Sequence, residues 1–294
     1  MKPQDVAAYV FLAVAWGFSF LVVLKVVQAF GWVGAVAFRA LVAAAMLIAV
    51  ARMMRRRLDF GTRPHRFAVV GATTVAGQLI GISYATPRIG TALAAIFVAA
   101  IPLFSMVVGR IWGIERLTTE GSVGLVLGFA GIVALVGFPD APATGTFILG
   151  CVASLLGSLA AAFGSNYASH RLRGAGAMEV SIGAFVSGGL MTLPMLLAVP
   201  VPSAPQPRDY VNLALLGAVM SATTYVLYFR LVARIGATRA ISVEFAVTLV
   251  AVLVGAALLG ERLSAVQLVG GLAIMLGCSL VLGLVRRMPG HRSE

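Results

Sequence analysis

The 294-residue sequence predicts an all-α membrane protein of ten transmembrane helices, built from two inverted five-helix repeats with both termini cytoplasmic. Three observations predict it. Hydrophobic residues make up 60% of the chain and charged residues 11%, against roughly a quarter charged in soluble domains. Ten apolar stretches each approach the length of about 20 residues that a helix needs to cross hydrocarbon about 30 Å thick. The chain also aligns with itself when shifted by 146 residues.

The stretches fall at 6–27, 33–51, 67–86, 89–110, 120–138, 146–169, 178–199, 210–230, 236–259 and 265–285. Helices are the reading for each, because hydrocarbon leaves backbone polar groups no partner outside the segment itself. The first run, from Val6 to Leu24, exceeds a signal-peptide core of roughly 7–15 residues and is expected to stay as the first span. Only the basic stretch Arg52 to Arg66 and the proline-rich stretch Pro200 to Asp209 read as loops of any length, which leaves no room for a soluble domain. Basic residues are retained on the cytoplasmic side. With the N-terminus inside, 17 of the 22 Lys and Arg fall there, and only Lys25, Arg39, Arg88, Arg208 and Arg262 lie toward the outer side.

The same residues exclude several functions. The net charge of +12 is spread between apolar runs instead of forming one basic face, so nucleic acid is not the expected partner. Cys151 and Cys278 both sit in apolar stretches, which reads as buried thiols and neither a disulfide framework nor a metal site. His65, His170 and His291 lie at predicted helix edges or in the tail, without metalloprotease spacing, and no carboxylate pair suits hydrolysis. No ring of like charges or carbonyl filter suggests a channel. The expectation is therefore no enzyme, no cofactor and no metal.

At the 146-residue shift, Arg88-Ile89-Gly90 falls on Arg234-Ile235-Gly236, and Glu115-Arg116-Leu117 on Glu261-Arg262-Leu263. Gly124 falls on Gly270 and Gly131 on Gly277, without a gap. At a shift of 147, the segment from Trp16 to Phe20 lies over Phe163 to Tyr167. Because five is odd, the second half enters from the opposite side of the membrane. That is the plan of proteins whose ligand site lies near the midplane between inverted halves.

Trp16-Gly17-Phe18-Ser19-Phe20, Arg39, Pro102 and the doubled Glu-Arg-Leu with a glycine seven residues on resemble the EamA family of the drug/metabolite transporter superfamily. The likeness covers essentially the whole chain and is greatest to the YddG-type exporters of aromatic and other neutral amino acids. It implies a first EamA repeat over 1–140, a second, inverted one over 141–288 and a tail over 289–294. It implies export of amino acids across the inner membrane by alternating access, or movement of another small metabolite or drug, with membrane lipid as the surroundings. One departure is that Pro102 has Thr248 in the corresponding place.

Aromatic and small polar residues are the candidates for a ligand wall, since a few placed polar groups orient a ligand while apolar contacts hold it. Trp16, Phe18 and Ser19 in the first span, Gln78, Ser83 and Tyr84 in the third, Phe163, Asn166 and Tyr167 in the sixth, and Tyr225 and Tyr228 in the eighth make that set. Interfacial belts and helix-to-helix polar contacts are the alternatives. Glu244 is the lone carboxylate deep in an apolar stretch, and such an acid is functional by default. It could couple protons, hold a substrate amine, pair with Arg230, Arg234 or Arg239, or simply snorkel toward the membrane edge. Arg39 could receive a substrate carboxylate or bond carbonyls at a helix end. Gly77/Gly81 and Gly124/Gly128 are small-residue surfaces for close helix packing, and Pro102 and Pro194 predict breaks within spans.

Overall fold

A computed structural model describes residues 3–61, 64–113, 119–137, 144–202, 204–235 and 240–281. Every regular element among them is helical. The first helix, α1, runs over Pro3–Met53 and is interrupted only at Gly31, where φ is 73° and ψ 165°, a conformation open to glycine alone. No loop is needed between the first two apolar stretches. The chain reverses at one residue, and Trp16 on the first limb and Arg39 on the second reach adjacent turns of one later helix.

Then follow α2 (Pro64–Ile89), α3 (Thr91–Ile111), α4 (Thr119–Gly137), α5 (Gly145–Arg171), α6 (Ala177–Leu197), α7 (Pro207–Ile235), α8 (Val243–Leu259) and α9 (Ala265–Val281). Among the described residues, α1, α2, α3, α5, α6 and α7 are long and apolar enough to cross a membrane, while α8 and α9 are apolar but shorter. Large apolar side chains such as Val126, Leu249, Leu253 and Leu272 face outward. In water that surface would be unfavourable, but in hydrocarbon it is neutral, so the fold depends on packing and on satisfied polar groups.

The repeat appears as contacts. A Cβ at Gly277 would stand 2.5 Å from the Gly124 carbonyl oxygen, and one at Gly131 would stand 2.6 Å from the Gly270 carbonyl oxygen. These pairings exchange under the 146-residue shift. Residue numbers rise along α4 as their partners fall along α9, so the two helices cross antiparallel at reciprocal glycine contacts. Gly81 similarly faces the backbone of Gly157 on α5. A second repeat feature is backbone shape: α2 widens to a π-helix over Gly71–Gly77 and α7 over Leu215–Thr223, and residues 71–77 fall on 217–223 at the same shift.

The breaks are answered by side chains. Ahead of Pro102, α3 turns at Ala99 and Ala100, since proline removes a donor and clashes with the preceding turn. Around that turn Ser158 donates to the Phe97 carbonyl at 3.0 Å, Thr248 to the Ala95 carbonyl at 3.0 Å, and the Cys278 thiol to the Ala99 carbonyl at 3.1 Å. Thr248, which stands where the second half lacks the proline, thus serves the helix that has it. Pro194 lies in a 3-10 turn over Leu193–Leu197. At the start of α3, Glu261 accepts from the Thr91 N–H at 2.7 Å, the Ala92 N–H at 2.8 Å and the Thr91 hydroxyl at 2.9 Å. A carboxylate at this helix N-terminus meets unpaired donors and the positive end of the dipole. The Glu of one half's Glu-Arg-Leu therefore caps the helix that follows the other half's Arg-Ile-Gly. The corresponding Glu115 and Gly236 lie outside the described residues.

Two outcomes follow from these contacts. Glu261→Ala removes a charged cap with three bonds and should destabilise the protein by about 1.5–3 kcal/mol, with Glu261→Gln intermediate, read from thermal unfolding in detergent. Gly277→Ala drives a methyl group into the α4 backbone and should cost about 1–3 kcal/mol, whereas alanine at Gly145, which has open space around its Cβ position, should leave the melting temperature within a degree or two.

Candidate functional site

A cavity at the centre of the bundle is lined by Thr74 of the widened segment of α2 and by the part of α7 that follows its own widened segment. Trp16, Ser19, Phe20 and Val23 line it from the first limb of α1, the spacing of one helix face. Arg39 enters from the second limb, Thr74, Gln78, Leu79 and Ile82 from α2, and Val98 and Ile101 from the break in α3. Ala161 and Ser165 come from α5, Tyr225, Tyr228 and Phe229 from α7, and Glu244 and Val247 from α8. The space open to the centre of a water-sized sphere is about 50 Å³, enough for a few waters at about 10–15 Å³ each. In this conformation the walls are close to contact.

The aromatic wall is fixed by hydrogen bonds from its rims. Trp16 Nε1 donates to Thr224 Oγ1 at 2.9 Å, and its ring lies 6.0 Å from that of Tyr225 and 5.5 Å from that of Tyr228. The Tyr225 hydroxyl donates to the Thr74 carbonyl at 2.8 Å, and the Tyr228 hydroxyl lies 3.1 Å from Ser165 Oγ. Thr74 and Thr224 sit in or beside the π-helical turns, which reach outside the regular ladder and are frequent at functional sites. Ser19 Oγ donates back to the Trp16 carbonyl at 2.7 Å.

Both charged candidates reach this cavity. Arg39 is 4% exposed, and its Nε donates to Ser221 Oγ in α7. Glu244 is 6% exposed at the start of α8. Among the described residues neither takes part in an ion pair. Arg234, one expected partner of Glu244, instead holds Asp5 at 2.8 Å. Arg230 is exposed, and Arg239 lies outside the described residues. Among the described residues Arg39 bonds no carbonyl at a helix end; its bond is to a hydroxyl on another helix. Gln78 is half-buried and its amide makes no hydrogen bond among the described residues.

Six expected residues, Phe18, Ser83, Tyr84, Phe163, Asn166 and Tyr167, do not line the cavity. Tyr84 packs edge-on against Trp32 at 5.3 Å, beneath the Arg88 guanidinium, which lies 3.5 Å from the ring centre. Asn166 is buried between α5 and α3, where its Nδ2 donates to Ser105 Oγ at 2.8 Å and to the Ala162 carbonyl at 2.9 Å. Its neighbour Ser165 takes the cavity position. Phe163 and Tyr167 stack beside Trp112, away from the cavity. Thr74 and Ser165 are lining residues that sequence reasoning did not single out, although Thr74 lies between Gly71 and Gly77 in a span rich in small residues.

Comparison with known proteins agrees with this architecture. The EamA-like transporter family matches residues 6–137 and again residues 148–283. The uncharacterized inner membrane transporter YedA of Escherichia coli (strain K12) is 30% identical over 184 residues, which span 61% of this chain and 58% of that protein. A protein of Streptantibioticus cattleyicolor named "Probable terminal-alkyne amino-acid exporter" is 25% identical over 294 residues, 99% of this chain and 96% of that one. A solved crystal structure that is 16% identical superposes with a TM-score of 0.70 over 98% of this chain and 99% of its own, a likeness of fold. The chain, a multi-pass membrane protein, belongs to the EamA-like transporter family.

Proposed function

We propose that this protein is a secondary transporter that exports amino acids, aromatic and other neutral ones, across the inner membrane by alternating access. The observation that carries the reading is the central cavity, walled by Trp16, Tyr225 and Tyr228, drawn from helices of both halves and contracted to about 50 Å³. Ligand sites usually measure about 300–1,000 Å³, so a substrate enters only after the helices around this one separate. The 3-10 turn over Leu193–Leu197, the Pro102 break and the two π-helical segments are places where such helices flex.

In this reading the helices, with α1 counted as two limbs, make ten spans in repeats over 1–140 and 141–288, with both termini and the 289–294 tail in the cytoplasm. The reciprocal glycine contacts of α4 and α9 and the two family matches support the inverted pairing. The inner membrane location draws on the relative so named in Escherichia coli, and amino-acid export on the relative named as an exporter. Trp16, Ser19, Gln78 and Tyr225 are the proposed substrate wall. Tyr84 and Asn166 are left to helix packing.

Proteoliposomes loaded with labelled phenylalanine should release it faster than protein-free vesicles, and unlabelled neutral amino acids should compete. At equal amounts of folded protein, Trp16→Ala should weaken competition by phenylalanine about 1–3 kcal/mol more than by alanine, from the worth of burying a large apolar side chain. Equal losses would make Trp16 a packing residue. Gln78→Cys should react with a small thiol reagent and Asn166→Cys should not. Cys151 and Cys278, both 0% exposed, leave the background low.

A further inference from the structure

The central cavity is lined by a basic and an acidic side chain, Arg39 and Glu244, that do not pair with each other. The only hydrogen bond of the Arg39 side chain among the described residues is the one from Nε to Ser221, which leaves both terminal nitrogens of the fork without a protein partner. The Glu244 carboxylate has no hydrogen bond or ion pair among the described residues. Among those residues no fully enclosed side-chain polar atom lacks a partner, so these atoms are not sealed in the packing; they open into the cavity both residues line.

Their order along the bundle follows from their neighbours. Ser221, which holds Arg39, precedes by one turn Thr224, which holds Trp16. On the other side, Tyr9 donates to the Ser242 carbonyl at 2.7 Å, which sets the start of α8 about two turns, near 10 Å, before Trp16. Glu244 follows Ser242 by two residues. The sequence of groups is therefore guanidinium, indole, carboxylate. A buried ion without a partner is strongly unfavourable, and replacing both by apolar residues would relieve it. What reconciles the pair is a ligand that brings the missing charges itself: an anionic group for the fork, which accepts a carboxylate through two parallel bonds, and a cationic group for Glu244.

We propose, resting on the transport reading above, that Arg39 and Glu244 form a two-ended clamp that selects zwitterions, receiving the substrate carboxylate and ammonium respectively while the apolar part lies on Trp16. A molecule with only one of the charges leaves the other end of the clamp buried and unpaired. Selection is then against singly charged analogues as well as for the dipolar substrate, as expected when a site's polar groups must all be met. The clamp also gives the substrate a direction, with its carboxylate toward the Gly31 end of the bundle and its ammonium toward the N-terminal end.

Binding to the purified full chain in lipid nanodiscs tests this with three probes that share a ring: phenylalanine, 3-phenylpropionate, which lacks the amine, and 2-phenylethylamine, which lacks the carboxylate. Wild type should bind phenylalanine at least tenfold more tightly than either analogue. Glu244→Gln should lose the preference over 3-phenylpropionate and keep that over 2-phenylethylamine, and Arg39→Gln should do the reverse. Arg39→Lys, which keeps the charge without the fork, should bind more weakly with the wild-type order of probes, which guards against a folding defect in the glutamine variant. Equal binding of all three probes, failure of all three to bind, or a parallel loss for every probe in each variant would overturn the clamp. Tightest binding of 2-phenylethylamine would also overturn it, in favour of a cation site at Glu244, and leave the transport reading standing. Selective zwitterion binding with no flux of any solute in vesicles would sink the transport reading and leave the clamp.

Discussion

Hydrocarbon offers no hydrogen-bond partner, so any backbone group released from a helical ladder within it must be met by another part of the protein. The structure supplies such partners at both ends of the first stretch of α3. Around the turn before Pro102 the Ala95 and Phe97 carbonyls accept the Ala99 and Ala100 N–H groups and take second donors from Thr248 and Ser158, and the Ala99 carbonyl accepts the Cys278 thiol, so three other helices bond to this turn. The fresh start of α3 after Gly90 presents donors to Glu261. Each answer comes from a distant part of the chain, so satisfying the backbone also fixes how helices sit against one another. Tertiary order in this molecule owes more to these bonds and to glycine contacts than to apolar burial, because the lipid outside is as apolar as the core.

Much of this is legible in the sequence, and the parts that are not have physical reasons. The spacing of Gly124, Gly131, Gly270 and Gly277 points to a repeat, and these residues meet where backbones touch, so their identity is restricted by space. Depth along a span is legible too, since residues advance about 1.5 Å each. Azimuth is not. In a soluble helix the polar face marks the outside, but here apolar residues surround the whole helix, and α1 carries no polar stripe that would tell its inner face from its outer one. Tyr84 therefore reads as a cavity residue at a plausible depth but on the wrong face: it lies six residues beyond Gln78, which turns it well away from the cavity. Asn166 misses by one residue, about 100° of rotation, and Ser165 takes its place. The π-helical turns have no signal beyond small residues, because they reflect tertiary packing.

Widening of α2 and α7 has a direct effect on the site. One extra residue in a turn rotates everything after it relative to what came before, so one helix can present groups from two faces to the same space. Ser221 and Thr224 hold Arg39 and Trp16, while Tyr225, the next residue, and Tyr228, one turn on, close the aromatic wall. Bonds at the indole N–H and at the two tyrosine hydroxyls hold these rings in place along the cavity wall.

Duplication accounts for the scaffold and divergence for the chemistry. At the shift of 146 residues Arg39 falls on Phe185 and Glu244 on Val98. Phe185 lies 4.6 Å from the Tyr225 ring, and Val98 lines the cavity. Neither charge has a charged counterpart. Had both halves kept an arginine, or both a glutamate, the symmetry would have placed like charges around one buried space, where their repulsion adds to the desolvation each already carries. With one guanidinium from the first half and one carboxylate from the second, the cavity acquires a dipole along the bundle. A pseudo-symmetric frame would present the same wall to either side, and under the proposed clamp the unlike residues within it would hold a zwitterion in one orientation.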